Sequence, residues 1–276
     1  RGGAGLVYLG VPKAIWAMEA VKCTGAMPFP LADKHGALSR KALEDLEKRL
    51  KDCDVLALGP GLSREEQAAE LARDLLAQAR CPVVLDADGI NALAGHMDVL
   101  DARRDHVTIL TPHDGEFARI GGDLSHGDRV RSAREFAAAH GCVLVLKGHR
   151  TVIATPEGNA LVNTTGTSAL AKGGSGDVLT GLIAALLAQG ATAVQAAAGA
   201  VWLHGRSGEI AEGRLTAYCT VPGDSGITEV WFGAQVDVRT NDDPVPAAGR
   251  LRRRHGSGRG SGCRGTAGTL RQHGGL

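Results

Sequence analysis

The chain has 276 residues, of which 43% are hydrophobic and 22% charged, which suffices for one large α/β domain or two small ones. Its 31 basic and 30 acidic residues exclude a wholly basic nucleic-acid-binding chain and an acidic solvating chain. No apolar run approaches the roughly 18 residues of a membrane span, so no membrane partner is expected. The six cysteines include no CxxC pair, which disfavours a zinc site and predicts a reducing, cytoplasmic environment.

Short apolar runs that end in Gly, Asp or Pro predict β-strands. They cover residues 5–10, 54–59, 82–86, 106–110 and 142–146. Apolar and polar residues do not alternate within these runs, which is typical of strands in a parallel sheet covered on both faces.

Helix signals lie between the predicted strands. Ser39 is expected to open a helix with a leucine face, and residues 63–66 read as a capping box before an apolar stripe. A third helix is predicted over residues 129–140, ending before Gly141. The alternation of strands and helices predicts an α/β fold: a doubly wound, mostly parallel sheet with helices on both faces.

The composition changes near residue 220. Residues 250–276 contain seven Arg, eight Gly and no Asp or Glu, so they bury too little apolar surface to offset the entropy of ordering. The sequence therefore predicts one domain over residues 1–219 and a disordered tail over residues 220–276. An Arg/Gly tail can contact RNA, but a solvated end is favoured, and no nucleic-acid partner is expected.

The glycine-rich stretch Gly173, Gly174, Ser175, Gly176 and Asp177 precedes apolar residues at helical spacing. Backbone amides at such a loop-to-helix junction can close on an anion, assisted by the helix dipole. Asp177 falls in the first turn, where a carboxylate is either a helix cap or a base beside a phosphate. The stretch is neither a P-loop nor a GxGxxG fingerprint.

Polar loops follow four of the predicted strands. After residue 146 come Lys147, Gly148, His149, Arg150 and Thr151, which form either a phosphate-binding loop or an exposed, solvated hairpin. The other three loops contain Gly61, then Asp86, Asp88 and Asn91, then His113 and Glu116. His113 is a candidate ligand contact and Glu116 a candidate helix cap, whereas a metal or ribose role for the aspartates is weakly indicated. Since all four loops follow strands, we expect them along one edge of one sheet.

Five ordered segments between about residues 3 and 219 resemble the ADP/ATP-dependent NAD(P)H-hydrate dehydratases of the ribokinase-like superfamily. They are LALGPGL (56–62), VVLDADGINAL (83–93), ILTPHDGE (109–116), LKG (146–148) and LAKGGSGDVLTGLIAALLAQG (170–190). The resemblance implies removal of water from the S epimer of hydrated NAD(P)H, here NAD(P)HX. ADP or ATP is consumed, usually with Mg²⁺, so that ADP gives AMP and phosphate.

The resemblance also implies the roles of individual residues. Gly61, His113 and Asp177 would contact NAD(P)HX, with Asp177 as the catalytic base. Residues 147–151 and Gly176 would contact the adenine nucleotide, while the amides of residues 173–176 form an anion hole. It further implies a functional link to an NAD(P)H-hydrate epimerase and a homo-oligomer, with a tetramer as one arrangement.

The sequence departs from the family pattern at three places. A first strand and substrate loop that usually precede residues 3–7 are not seen, so an N-terminally truncated domain is expected. Residues 166–169 read GTSA where many members have GNPG, and residues after about 221 do not resemble the family. Two alternatives therefore stay open: a ribokinase-like kinase acting on a vitamin-precursor alcohol, and an inactive nucleotide-binding fragment.

Overall fold

The computed structural model of the chain describes residues 2–225. The strands are β1 (Tyr8–Pro12), β2 (Met27–Leu31), β3 (Asp33–Lys34), β4 (Ala37–Leu38), β5 (Leu56–Leu58), β6 (Val83–Leu85), β7 (Thr108–Leu110), β8 (Val143–Leu146), β9 (Val152–Ala154) and β10 (Ala160–Val162). The α-helices are α1 (Trp16–Lys22), α2 (Leu43–Leu50), α3 (Glu66–Gln78), α4 (Ala87–Asn91), α5 (Met97–Asp101), α6 (Asp114–Arg119), α7 (Arg129–His140), α8 (Ser175–Ala188), α9 (Ala193–Cys219) and α10 (Pro222–Ser225).

Six strands form the central sheet in the order β10-β9-β8-β7-β6-β5. Strands β5 to β8 run parallel, whereas β9 and β10 are antiparallel to their neighbours. Four of the five predicted strands are therefore confirmed as the parallel part of this sheet.

Successive residues of the inner strands β6 to β9 belong to two different cores. Val83 and Leu85 pack with α3 and α7 on one face, while Val84 packs with α8 and α9 on the other. Both faces are thus covered by helices, which explains why the strands are apolar throughout. The predicted α/β layering is confirmed.

Two predicted helices match the structure closely. Helix α7 spans Arg129–His140 and ends at Gly141, whose φ of 63° is the left-handed conformation that favours glycine. After Ser39, a 3₁₀ turn (Arg40–Ala42) leads into α2, whose leucines pack against the first core.

The capping box predicted over residues 63–66 is wrong. Helix α3 begins at Glu66, and its N-cap is Glu65. Ser63 has a φ of 79°, and its hydroxyl accepts a hydrogen bond from the Glu65 amide at 3.2 Å. The Glu66 carboxylate instead pairs with Arg73 at 2.9 Å. The tight turn before Ser63 places the serine outside the helix, so it cannot cap the first turn.

The strand predicted over residues 5–10 begins later and belongs elsewhere. Strand β1 covers Tyr8–Pro12 and pairs in parallel with β2 in a separate two-stranded sheet. Leu6 and Val7 are exposed, so the apolar character that suggested a buried strand does not reflect burial in the central sheet.

The described part of the chain extends beyond the predicted domain boundary. Thr220 is buried and α10 follows it, so residues 220–225 are ordered, contrary to the expectation for the tail. The prediction of disorder for residues 226–276 lies outside the described residues. Within residues 2–225, no helix is both long enough and apolar enough to cross a membrane.

Candidate active site

The four polar loops lie at one edge of the central sheet. They follow β5, β6, β7 and β8, which run in the same direction, so their carboxyl ends meet at that edge. The predicted convergence is confirmed. In open α/β sheets this edge is where ligands bind.

A buried ion pair occupies the centre of this edge. Asp86 directly follows β6 and is only 1% exposed. Its Oδ1 lies 2.7 Å from Lys147 Nζ, and its Oδ2 accepts a hydrogen bond of 2.7 Å from Thr180 Oγ1. The pair therefore ties the loop after β6 to the end of β8 and to α8.

The Asp86 carboxylate is held in its ionised form. Burial alone raises the pKa of Asp86, but the Lys147 charge and hydrogen bonds from Lys147, Thr180 and Thr111 bring that pKa below its ordinary value. Lys147 thus has an internal counter-charge, which the sequence did not reveal.

The turn after β5 packs directly on the Asp86 backbone. Gly59 has a φ of 129°, and a Cβ atom there would lie 1.8 Å from the Asp86 carbonyl oxygen. Only glycine fits this close approach. Gly61, in the same turn, has a φ of 70° and open space around its Cα. The structure therefore places Gly61 beside the loop that contains Asp86.

His113 and Glu116 form a capping box at the start of α6. His113 Nδ1 accepts hydrogen bonds from the Gly115 and Glu116 amides at 2.9 and 3.3 Å, while Glu116 Oε2 accepts from the His113 amide at 2.9 Å. This confirms Glu116 as a helix cap. Because Nδ1 accepts, the neutral ring carries its proton on Nε2, and the side chain is 54% exposed.

The loop containing His113 adjoins Lys147. The Lys147 amide donates to the Pro112 carbonyl at 2.8 Å, and Lys147 Nζ lies 3.8 Å from Glu116 Oε2. His113 Nε2 lies 3.4 Å from Glu116 Oε1, so the ring is connected to the buried ion pair through the Glu116 carboxylate.

Helix α8 begins without a side-chain cap. Its N-cap is Gly174, with a φ of 91°. The Ser175 amide donates to the Lys172 carbonyl at 3.2 Å, whereas the Gly176 and Asp177 amides have no partner within residues 2–225. The buried Ser175 hydroxyl also lacks a partner among the described residues. The positive end of a fourteen-residue helix is thus left open to an anion.

The start of α8 lies against the ion pair. A Cβ atom on Gly176 would be 3.4 Å from Lys147 Nζ and 3.7 Å from Asp86 Oδ2. Partial loss of solvent raises the pKa of Asp177, the Asp86 charge raises it further, and Lys147 lowers it. Asp177 therefore stands beside Gly176, Lys147 and Asp86, with a carboxylate that holds a proton more readily than an ordinary aspartate.

Residues 147–151 form an exposed hairpin, which was one of the two interpretations of this segment from the sequence. They join the antiparallel strands β8 and β9, with His149 and Arg150 exposed. The Thr151 hydroxyl donates to the Gly148 carbonyl at 3.2 Å. The hairpin starts at the ion pair and extends into solvent, and its nucleotide contacts stay a prediction.

Magnesium fits this site only together with nucleotide phosphates. No group of three potential ligands from His, Cys, Asp and Glu lies together within residues 2–225. Both Asp86 oxygens already have partners, which leaves Asp177 as the free carboxylate at the start of α8. Mg²⁺ often binds through one or two carboxylates, waters and substrate phosphates, and this site allows that arrangement.

Comparison with known proteins identifies the family. Residues 1–223 match the family described as NAD(P)H-hydrate dehydratase. The chain belongs to this family. It is 44% identical over 229 residues to a bifunctional NAD(P)H-hydrate repair enzyme of Moorella thermoacetica, covering 81% of this chain and 43% of that protein.

Further relatives support the same family assignment. An ADP-dependent (S)-NAD(P)H-hydrate dehydratase of Neisseria meningitidis is 36% identical over 209 residues, covering 74% of this chain and 69% of that protein. The crystal structure of the Bacillus subtilis ADP/ATP-dependent enzyme, co-crystallised with ATP/Mg²⁺ and soaked with CoA, superposes with a TM-score of 0.65 at 32% identity. It covers 82% of this chain and 80% of that one. The ribokinase-like fold is thereby confirmed.

The chain spans about two fifths of the length of three of the bifunctional enzymes that it matches. Activities that those proteins carry outside the matched segment are properties of those proteins and are not assigned to this chain.

Proposed function

We propose that this domain catalyses the dehydration of (S)-NAD(P)HX to NAD(P)H at the expense of ADP or ATP, so that ADP gives AMP and phosphate. One observation carries the proposal: the free Asp177 carboxylate lies at the uncapped start of α8, beside Lys147 and the buried Asp86. This arrangement suits transfer of a phosphoryl group to a hydroxyl, and family membership supports the hydroxyl of the hydrated ring as the acceptor.

Phosphoryl transfer solves the problem that hydroxide is a poor leaving group. The oxygen of the ring hydroxyl bonds to the terminal phosphorus of the nucleotide while the bond from that phosphorus to its bridging oxygen breaks, which releases AMP from ADP or ADP from ATP, and Asp177 accepts the hydroxyl proton. The free amides of Gly176 and Asp177 and the α8 dipole stabilise the charge on the transferred group. A raised pKa makes Asp177 a better proton acceptor than an ordinary aspartate. Magnesium, bound with the nucleotide, supplies further charge neutralisation.

Elimination then needs less assistance from the protein. The lone pair of the ring nitrogen expels phosphate, and loss of a proton from the neighbouring carbon restores the dihydropyridine.

In this scheme His113 donates its Nε2 proton to the substrate, and Gly61 lets the ring approach the backbone. Residues 147–151, with Gly176, hold the adenine nucleotide. Ser175 contributes its unpartnered hydroxyl to the predicted anion hole, since its amide is already used.

Only one epimer of the hydrate is consumed in this scheme, so complete repair requires an NAD(P)H-hydrate epimerase. The name of the bifunctional relatives, repair enzymes, supports this functional link. A cytoplasmic location, a homo-oligomeric state and the domain boundary at residue 219 stay predictions.

The test is to incubate the full chain with (S)-NADHX, ADP and Mg²⁺. We expect recovery of the reduced-nicotinamide absorbance together with one free phosphate for each NADH. A stable phosphorylated alcohol with a different acceptor, and no NADH, would show a kinase instead. Binding of ADP with no turnover of NADHX or NADPHX would show an inactive nucleotide-binding fragment.

A further inference from the structure

A cavity of about 300 Å³ lies beside the candidate site, on the β5–β6 side of the sheet. Its walls come from the start of α3, the α4–α5 segment and the end of α6. Three guanidinium groups line it, those of Arg64, Arg73 and Arg119. None of these residues was identified from the sequence. We call this space the arginine cavity.

Each wall of the arginine cavity continues from a segment of the candidate site. Arg64 follows Gly61 by three residues, and α4, which supplies Asp88, begins directly after Asp86. Arg119 is the last residue of α6, whose N-cap is His113. Helix α6 has six residues, so its length is about 9 Å. A substrate whose ring lies at His113 therefore has its next chemical groups within reach of the cavity.

The arginine cavity has a surplus of positive charge. Arg64 pairs with Asp88 at 3.3 Å and Arg73 with Glu66 at 2.9 Å. Arg119 donates only to the side-chain oxygen of Asn91, at 3.0 Å, and has no carboxylate within 4 Å among residues 2–225. Its exposed guanidinium group keeps most of its five donors free.

Phosphate is the ligand group that matches this charge and geometry. A guanidinium group binds phosphate oxygens through two parallel hydrogen bonds, and Arg is used for such contacts in preference to Lys. The adenine nucleotide is proposed to bind at the β8–β9 hairpin, two strands away from β6 in the sheet. A phosphate in the arginine cavity therefore belongs to the dinucleotide substrate.

We propose that the arginine cavity binds a phosphate group of NAD(P)HX, with Arg119 as the main contact; this inference rests on the proposed function. Two phosphate sources share this chemistry: the diphosphate bridge, present in both hydrates, and the 2′-phosphate, present in NADPHX alone. The cavity thus determines substrate affinity and, in the second case, the choice between the two hydrates.

The experiment compares the full-length wild-type chain with Arg119→Ala and Arg119→Gln. Arg131→Ala is the matched control, because Arg131 is an exposed helical arginine that pairs with Glu135 away from the cavity. KM and kcat are measured for NADHX, NADPHX and ADP. We expect both Arg119 variants to raise the hydrate KM about tenfold, as for a lost charged hydrogen bond, with kcat and the KM for ADP unchanged.

The pattern across substrates distinguishes the phosphate sources. If the KM rises equally for NADHX and NADPHX, the cavity binds the diphosphate bridge. If the KM rises for NADPHX alone, the cavity binds the 2′-phosphate. Unchanged KM values for both hydrates overturn the inference, as does an equal effect of Arg131→Ala.

A binding measurement separates this inference from the proposed function. Dissociation constants for NADH and NADPH, determined by fluorescence titration, do not require turnover. If the wild-type chain has no dehydratase activity but Arg119→Ala weakens NADPH binding about tenfold, the proposed function fails and the cavity remains a phosphate site. If Arg119→Ala leaves NADH and NADPH binding unchanged, the cavity assignment fails, whatever the activity.

Discussion

Helices α6 and α8 both begin at the ligand-binding edge of the sheet, but their first turns differ. The start of α6 is closed by its own side chains, because His113 and Glu116 cap each other's backbone amides. The start of α8 has glycine at its N-cap, no side-chain cap and two amides without a partner among the described residues. Where local residues satisfy the helix end, a ligand gains little there. Where they leave it open, an anion completes the structure.

The largest expected effect comes from removing the carboxylate at the open helix start. Asp177→Asn should lower kcat by roughly 10²–10⁴-fold, the usual contribution of a positioned general base. Because the Asp177 side chain is exposed, the KM for ADP and the melting temperature should stay close to wild type. Steady-state kinetics and thermal denaturation check this. A variant with wild-type kcat would show that Asp177 is not the base.

Removing Asp86, the buried partner of Lys147, tests whether this ion pair stabilises the region around the start of α8. Asp86→Asn should destabilise the fold by about 3 kcal/mol, since it removes the nearer of the two carboxylates beside Lys147 and leaves only Glu116, at 3.8 Å. The lowered pKa of Asp86 stabilises the folded state above the ordinary aspartate pKa, and this contribution is lost as the pH falls through the folded-state pKa. The stability difference from wild type should therefore shrink in acid. Denaturant unfolding at several pH values measures it.

Removing either member of the Asp86–Lys147 ion pair should shift the pH dependence of activity, and the two shifts should have opposite directions. Asp86 raises the pKa of Asp177 and Lys147 lowers it. The acid limb of the kcat profile should therefore move to lower pH in Asp86→Asn and to higher pH in Lys147→Met, because the base must be ionised. Movement in the same direction would contradict the proposed arrangement of charges.

A methyl group at the uncapped start of α8 should obstruct binding of the nucleotide phosphate. In Gly176→Ala the new Cβ atom lies 3.4 Å from Lys147 Nζ, in the space between the amides and the ion pair. We expect the KM for ADP to rise about tenfold, in line with the cost of overpacking. Gly181→Ala is the matched control, since Gly181 lies in the same helix with open space around its Cα. Equal effects in both variants would rule out a local cause.

The smallest effect concerns the closed helix start. His113→Ala should cost about 1 kcal/mol through loss of the cap, as well as weakening substrate binding. His113→Asn keeps an N-cap side chain, so its stability should stay near wild type while the KM for the hydrate still rises. If His113→Asn restores the KM as well as the stability, His113 acts only as a cap.

The sequence revealed those features that depend on local pattern. Strands β5 to β8, helix α7 and the glycine start of α8 follow from apolar runs and punctuating residues. The Asp86–Lys147 ion pair joins residues 61 positions apart, and Thr180 reaches Asp86 across 94 positions. No local rule connects such residues. An aspartate directly after a buried strand was the only signal, and it suggested a metal or ribose instead.

The other errors have the same origin. The motif at residues 63–66 satisfies the spacing of a capping box, but Ser63 has a φ of 79° and follows a turn whose Gly59 packs on the Asp86 backbone, so the helix begins only at Glu66. The apolar residues near the start of the chain resemble a buried strand, yet β1 pairs with β2 in a separate sheet. In both cases the deciding contact lies far along the chain.

Lys147 binds to the loops that follow two neighbouring strands: its amide donates to Pro112 and its ammonium group to Asp86. Its amide proton can exchange with solvent only when this junction opens. Hydrogen–deuterium exchange at this single backbone position therefore reports how often the pocket comes apart in solution, and bound nucleotide should slow it.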